Sequence, residues 1–175
     1  MHQDIIKFWF EELAPKQHFV KDPELDAAIT FRFGETYWQV LKDETAHWRD
    51  SAEGRLAEIL VLDQFARNIF RNDPQAFAGD YLALALAQEA IRCGDDMKLS
   101  EHMRSFVYMP FMHSESKVVH ETALRLFEGM GNNFDYEVKH KEIIDRFGRS
   151  PHRNAVLGRE STAEELEFLK TNRGF

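Results

Sequence analysis

Apolar residues recur at every third or fourth position along most of the chain, which is the period of an α-helix. Between residues 51 and 71, for example, Leu56, Ile59, Leu60 and Phe65 fall on one helical face. No segment alternates apolar and polar residues in the way of a half-buried strand, and β-branched residues never cluster over five positions. The pattern therefore predicts an all-helical protein.

Capping residues, glycines and prolines mark the expected helix ends. Asp4, Asp22 and Asp135 are candidate N-caps, and Gly34 is a weak point at which the second helix can bend or restart. A capping box is expected over residues 161–165. The expected helices span residues 4–13, 23–41, 51–71, 80–93, 99–109, 116–128, 136–147 and 163–169. Their short connections predict antiparallel helix pairs that pack in sequence order.

The chain has 175 residues and contains no linker or low-complexity stretch, so we expect a single domain over residues 1–175. Cys93 is its only cysteine, which excludes an intramolecular disulfide and a cysteine-based zinc site. We expect Cys93 to be a buried structural thiol. With no long apolar run and no basic leader, the expected location is the cytoplasm, and neither metal nor cofactor is expected.

The charge of the chain is unevenly distributed. The formal net charge is −8, which argues against binding to nucleic acid or to an anionic membrane. The stretch 139–159, however, carries six Lys and Arg residues against two acidic ones. A positive segment on an acidic protein favours a small local anion over a polyanion as the ligand.

A first group of polar residues interrupts the apolar face of the third helix. Its members are Asp63, Gln64, Arg67, Asn68 and Arg71. The four-residue spacing of Asp63 and Arg67 is favourable for a helical ion pair. The pair is either a surface ion pair or part of a half-buried network that directs Arg67 and Asn68 toward a ligand.

A second group follows Pro110 and contains His113, Ser114 and Glu115. Residues adjacent in sequence rarely form a nucleophilic triad, which is defined by geometry in space. His113 and Glu115 could share a metal ion or relay a proton. In the alternative interpretation, Ser114 is an N-cap and His113 is only hydrogen-bonded.

A third group lies around the turn at Gly148 and Pro151. Its members are Arg149, His152, Arg153, Asn154 and, two turns earlier, His140. We expect Pro151 to fix a non-helical stretch from which these donors fan out, an arrangement suited to a carboxylate or phosphate. Alternatively, the arginines cap helix ends or pair with the acidic residues of the chain.

At these segments the sequence resembles a family of small bacterial proteins grouped as a domain of unknown function with a tetratricopeptide-like helical fold. The matching strings are Phe8–Phe10, Leu62–Phe65, Arg67–Arg71, Ala76–Ala78, Tyr108–Glu115, His140 with Ile143 and Ile144, Arg146–Arg149, Pro151–Asn154 and Leu157–Thr162. Ala66 and Ser150 stand where proline and an aromatic residue are expected. The resemblance implies a right-handed α-α superhelix of antiparallel helix pairs and brings no established activity.

Three functions are compatible with these observations. The leading hypothesis is a binding protein that holds an anionic small molecule or peptide in a pocket lined by Arg, His and Asn, around which the three polar groups converge. The first alternative is a hydrolase that uses Asp63, His113, Glu115, His140 and His152 as acid-base groups or metal ligands. The second is a protein-protein interaction scaffold. The oligomeric state is left open.

Overall fold

A computed structural model describes residues 1–172 and residue 174, and in this part of the chain all regular secondary structure is helical and no strand is present. The α-helices are α1 (His2–Lys7), α2 (Pro23–Leu41), α3 (Ala52–Leu60), α4 (Ala66–Ile69), α5 (Asp80–Arg92), α6 (Glu101–Met112), α7 (Lys117–Phe127), α8 (Asn132–Phe147) and α9 (Ala163–Thr171). Wider π-helical turns follow α1 at Phe8–Glu12 and α3 at Val61–Phe65. Short 3-10 helices lie at Pro15–Gln17, Ala46–Asp50, Pro74–Phe77, Asp96–Lys98 and Pro151–Arg153. The prediction of an all-helical protein is confirmed.

The chain divides into two compact units. Unit 1 comprises Met1–Arg71 and Gln75–Pro110, and unit 2 comprises Asn72–Pro74 and the described residues from Phe111 onward. The single domain over residues 1–175 and the right-handed superhelix both stay predictions. None of the described helices combines the length and the apolar character needed to cross a membrane.

Unit 1 is built around a large aromatic core. Helix α3 packs against α1 and α5, while α2 packs against α4 and the second π turn. Trp9, Tyr37, Phe65 and Phe106 are almost completely buried within it. The centroid of the Phe65 ring lies 5.0 Å from that of Phe33 and 5.4 Å from that of Trp9, within the range of separations at which aromatic pairs attract each other.

In unit 2, helix α7 packs against α8, and α9 packs against the 3-10 helix Pro151–Arg153. Its apolar interior is small and includes Ala123, Phe127 and Ile144. Several buried polar side chains supplement it. Polar contacts therefore determine much of how the helices of this unit are positioned.

Several helix ends form as the sequence predicts. The carboxylate of Asp22 accepts hydrogen bonds from the backbone N–H groups of Glu24 and Leu25, and Pro23 follows it at the first helical position. Thr162 and Glu165 form the expected capping box at the start of α9. Gly148 ends α8 in the left-handed region, with φ +70°.

Other helix boundaries differ from the expectation. Helix α1 begins at His2, so Asp4 lies in its first turn and is not the N-cap. Helix α8 begins at Asn132 after Gly131, which displaces Asp135 from the predicted cap into the first turn. In both places an earlier start lets the carboxylate face the partial positive charge of the helix N-terminus without capping it.

Two prolines have a weaker effect on the backbone than predicted. Helix α6 continues through Pro110 to Met112, because burial of Phe111 and Met112 offsets the backbone hydrogen bond that proline cannot donate. Pro151 starts a short 3-10 helix, so the stretch after Gly148 is not entirely non-helical. The expectation for Cys93 is also wrong. The thiol is exposed, because Cys93 caps the surface end of α5 and contacts Glu89.

Candidate functional site

In unit 1, the second π turn and the start of α4 bring Asp63, Gln64 and Arg67 together in one cluster. The carboxylate of Asp63 is almost fully buried and accepts a hydrogen bond of 2.6 Å from the side-chain amide of Gln64. Nη2 of Arg67 lies 3.3 Å from Oδ1 of Asp63, and Nη1 donates to the backbone carbonyl of Asp63. The predicted Asp63–Arg67 pair is therefore present, and it is part of a buried network and not a surface ion pair.

Arg67 also connects α4 to the start of α5. Its Nη2 lies 3.0 Å from Oδ1 of Asp80, and its guanidinium stands over the ring of Phe77. Burial alone would lower the pKa of Arg67, but the carboxylates of Asp63 and Asp80 outweigh burial and raise it. The guanidinium therefore keeps its charge inside the unit.

Asn68 and Arg71 bind a different carboxylate. The amide of Asn68 donates to Oδ1 of Asp26 at 2.8 Å, and Nε and Nη2 of Arg71 donate to both oxygens of the same residue. Burial favours the neutral carboxyl of Asp26, yet the hydrogen bonds from Arg71 and Asn68 lower its pKa overall. Asn68 and Arg71 therefore connect α4 and the residues after it to α2. Neither of these hydrogen bonds involves the carboxylate of Asp63.

In unit 2, Glu115 holds the turn after α8 in place. Its two oxygens accept a fork of hydrogen bonds from Arg159, at 2.7 and 2.9 Å, and Oε1 also accepts from the backbone N–H of Ser150. Burial would raise the pKa of Glu115, but the hydrogen bonds from Arg159 and Ser150 lower it overall. Arg159 donates in addition to the side-chain carbonyl of Asn154.

Glu165 is the second anchor of this turn. Its carboxylate is buried and accepts from Nε and Nη2 of Arg149, from the amide of Asn154 and from the backbone of Thr162. The hydrogen bond from Arg149 is the main reason that the pKa of Glu165 is lowered to about 2. For Arg149, the alternative interpretation of an arginine that pairs with an acidic residue is the one observed.

His113, His140 and Arg153 form a third group in unit 2. Nη2 of Arg153 donates to the backbone carbonyl of His113 at 2.8 Å, and the rings of His113 and His140 lie 6.1 Å apart. Nδ1 of His140 lies 2.8 Å from the carbonyl of Tyr136 and must donate to it, so Nε2 carries the lone pair of the neutral ring. Burial is the main cause that lowers the pKa of His140 to about 3, and the electrostatic interaction with His113 acts in the same direction.

His152 has a different environment from the rest of the third predicted group. Its Nε2 lies 3.0 Å from the carbonyl of Asn172, and its ring packs edge-on against Phe168 of α9. This histidine therefore fastens the last helix. Within unit 2 the structure thus brings together Glu115, Arg149 and Asn154 through Arg159 and Glu165, and separately groups His113, His140 and Arg153.

A buried histidine that the sequence interpretation assigned no role fixes the turn at 113–116. Nδ1 of His120 lies 2.7 Å from Oε1 of Glu137, and Nε2 lies 2.8 Å from the carbonyl of Ser114. Because the carbonyl can only accept, Nε2 carries a hydrogen, and a second proton is shared between Nδ1 and the carboxylate. Both side chains are completely buried. This pair positions the segment that carries His113 and Glu115.

The anchoring residues Arg159, Glu137 and Glu165 were missed because each has an ordinary helical role in the sequence. Glu165 is part of the capping box, and Glu137 lies in a run of charged residues. A buried partner separated by 16 or 17 positions leaves no local pattern. The one available signal was that Arg159 lies within a string shared with the resembling family.

Among residues 1–172 and 174, no three His, Cys, Asp or Glu side chains are grouped closely enough to hold a metal ion. The described arginine forks offer directed hydrogen-bond donation. Convergence of all three predicted polar groups around one hollow stays a prediction.

Comparison with known proteins gives a family without an activity. Residues 5–173 match the family model described as a bacterial protein of unknown function, DUF924. A solved structure, that of a protein of unknown function from Agrobacterium tumefaciens, is 38% identical with a TM-score of 0.94, over 98% of this chain and 97% of that one. No curated protein matches the chain. The chain therefore belongs to the DUF924 family of bacterial proteins of unknown function.

Proposed function

We propose that the chain is a binding protein that holds a small anionic ligand, through a carboxylate or phosphate group, at His113, His140 and Arg153 of unit 2. The observation that carries the proposal is the hydrogen bond from Arg153 to the carbonyl of His113. It holds a guanidinium beside two imidazole rings that lie 6.1 Å apart. The guanidinium provides a planar fork of donors, and the Nε2 atom of His140 becomes a further donor when it takes up a proton.

The charge around His140 supports an anion as the ligand. Burial is the largest cause of the low pKa of His140, and electrostatic interactions with His113, His120 and Arg153 also disfavour its protonation, so that the pKa is about 3. A bound anion would offset these charges and favour the imidazolium form. We therefore expect binding to be accompanied by proton uptake at His140 and to become tighter as the pH is lowered.

The rigid surroundings of the group also support binding. Arg149 and Arg159 are held by Glu165 and Glu115, which fixes the backbone on both sides of Arg153. A donor whose backbone is already ordered loses less conformational entropy when it binds a ligand. The same pairs neutralise the two nearby carboxylates, so these carboxylates repel an anion less.

The hydrolase alternative has less support. Glu115, its proposed acid-base group, accepts three hydrogen bonds and has a lowered pKa, which makes it a weak general base and leaves no proton for general acid catalysis at neutral pH. His152 is engaged with the last helix. The wider pocket of the leading hypothesis, which also includes Asp63, Gln64, Arg67, Asn68 and Arg71, stays a prediction.

Thermal unfolding with inorganic phosphate, sulfate or acetate tests the site. At about 10 mM ligand and a Kd of about 1 mM, mass action should raise the Tm by about 4 °C. Arg153→Ala should abolish this shift and Arg153→Lys should weaken it, because lysine lacks the planar fork. Arg146→Ala is the matched control, since Arg146 is an exposed arginine of the same segment that pairs with Glu164. No shift with any of the three anions would refute the proposal.

Proton uptake gives a second test that does not depend on variants. The NMR titration of His140 should show a pKa near 3 without ligand and a higher pKa in saturating phosphate. If phosphate stabilises the protein while the titration of His140 does not change, the anion binds elsewhere. The assignment to these three residues would then be wrong.

A further inference from the structure

Helix α2 carries an apolar stripe on the side opposite to the core of unit 1. We name it the α2 seam: it consists of Ala27, Phe31, Gly34, Trp38 and Leu41. The intervals of four, three, four and three residues keep these positions on one narrow face, as in the contact line between two packed helices. The core-facing residues of α2 are a different set that includes Ile29, Phe33 and Val40, all buried.

The α2 seam exposes large aromatic surface. The side chain of Phe31 is 92% exposed and that of Trp38 is 43% exposed, while Ala27 is exposed and Leu41 half-buried. An apolar stripe of this kind on an otherwise acidic, strongly charged surface is typical of a protein-protein contact. The inner part of Trp38 packs on Phe70 of the same chain, which holds the ring in a fixed position.

Gly34 indicates what the seam contacts. An interior glycine destabilises a helix relative to alanine, yet α2 continues through Gly34 without interruption. A Cβ placed at Gly34 would have no atom of the described chain within 4 Å, so packing inside this chain does not require glycine there. Close approach of another molecule to the backbone would require it.

We propose that the α2 seam is a homodimer contact in which the α2 helices of two copies pack antiparallel about a two-fold axis near Thr36. In this arrangement Trp38 of each copy lies over Gly34 of the other, and Phe31 lies over Leu41. Each large side chain meets a smaller one, and the glycine makes room for the indole. The stripe is thus complementary to itself, which a two-fold symmetric interface demands. The inference is independent of the proposed anion site.

The size of the seam predicts a weak dimer. From Ala27 to Leu41 the helix rises by about 21 Å. A helix–helix contact along this length buries roughly 400 Å² of accessible surface on each copy, about half of what each partner buries in a standard stable interface. The two Glu35 carboxylates flank the axis and repel each other. We therefore expect a Kd on the order of 10–100 μM that decreases as salt is added.

Sedimentation equilibrium of the full chain tests the contact. The unmodified chain should show a monomer-dimer equilibrium, and Phe31→Glu should raise the Kd by about tenfold or more, because each copy then places a charge in the seam. Tyr81→Glu is the matched control, since Tyr81 of α5 is 86% exposed and lies outside the seam. A chain that stays monomeric at about 1 mM, or an equal effect of both variants, would overturn the proposal.

The variant Gly34→Ala distinguishes a role of Gly34 in the dimer contact from a role in the stability of the monomer. In dilute, monomeric protein the added methyl group should raise the Tm by about 2 °C, because alanine favours the helix and meets no neighbour. The same methyl group should weaken dimerisation several-fold. If dimerisation is unchanged or strengthened, the indole does not lie over Gly34 and the proposed packing is wrong.

Pulsed electron paramagnetic resonance determines the direction of the pairing. A spin label on Ala27→Cys, in a chain in which the exposed Cys93 is replaced by serine, reports the separation of the two copies of residue 27. The antiparallel arrangement places these residues about 27 Å apart along the helices. A parallel arrangement places them about 10 Å apart. The short distance, or a dimer whose labels are far beyond the long one, would contradict the antiparallel seam.

Discussion

At the scale of single residues, the most constrained groups are buried carboxylates that pair with an arginine or a histidine side chain. Glu58 accepts from Arg49 and Thr45, Glu137 faces His120, and Glu165 accepts from Arg149. A buried charge is tolerated only when it is paired and hydrogen-bonded, and removal of one partner leaves the other uncompensated. Each of these residues therefore controls the placement of a neighbouring segment.

Glu165→Gln should lower the free energy of unfolding by about 2–4 kcal/mol, because Arg149 loses its carboxylate and the backbone N–H of Thr162 is left with a neutral acceptor. Chemical denaturation at neutral pH measures this change. Glu167→Gln is the control, since Glu167 is exposed on the same helix and pairs only with Lys170. An equal effect of the two variants would contradict a structural role for the Glu165 network.

The lowered pKa of Glu165 predicts that the stability of the fold depends on pH. The pKa of Glu165 is lowered from 4.5 in the unfolded chain to about 2 in the fold, so the unfolded state binds a proton first as the pH falls. The stabilisation is complete above about pH 4.5 and is lost progressively toward pH 2. In Glu165→Gln the unfolding free energy should therefore fall less steeply between pH 4.5 and 2. An unchanged slope would show that the carboxylate titrates normally in the fold.

At the scale of helices and turns, two glycines within helices have opposite surroundings. Gly54 lies in the first turn of α3, where a Cβ would stand 1.9 Å from the backbone carbonyl oxygen of Trp48. The 3-10 helix Ala46–Asp50 can therefore pack on α3 only because residue 54 has no side chain. At Gly34 the surrounding space is open.

Gly54→Ala should lower the free energy of unfolding by about 1–3 kcal/mol or more, because backbone atoms have to move apart to admit the methyl group. Gly34→Ala in dilute protein is the matched control and should change stability in the opposite direction. Denaturant titrations of the two variants give the comparison. Stabilisation by alanine at residue 54 would mean that the 3-10 helix is not held against α3.

At the scale of the whole molecule, net charge determines which anions can bind. The formal charge of −8 repels a polyanion, and four of the six cations between residues 139 and 159 are neutralised by carboxylates in ion pairs. A small ligand that contacts only a few donors avoids most of this repulsion. The overall charge and the local donors therefore favour the same class of ligand.

The chain should accordingly not bind a short DNA duplex at about 0.1 M salt, while it still binds phosphate. Fluorescence anisotropy of labelled DNA provides the measurement. A micromolar Kd that weakens steeply with added salt would show that the positive segment acts as a nucleic-acid surface. The preference for small anions would then have to be abandoned.

The sequence predicts the elements of this fold better than their polar contacts. Helical periodicity identifies the helical stretches, and local capping chemistry correctly predicts the N-cap Asp22 and the box at Thr162. These features depend on residues a few positions apart. The partners of Asn68 and Arg159, by contrast, are 42 and 44 positions away, and only the folded chain reveals them.

The π turn Val61–Phe65 accommodates one residue more than an α-helical turn would. If the same residues formed a regular α-helix instead, everything after them would be rotated by most of one residue's step of about 100°. Arg67 would then point away from Asp80, and Arg71 away from Asp26, although the segment would remain helical. The wide turn thus takes up the extra residue without changing the direction of the polar side chains that follow, and a lineage that lost this residue together with the wide turn could keep both ion pairs.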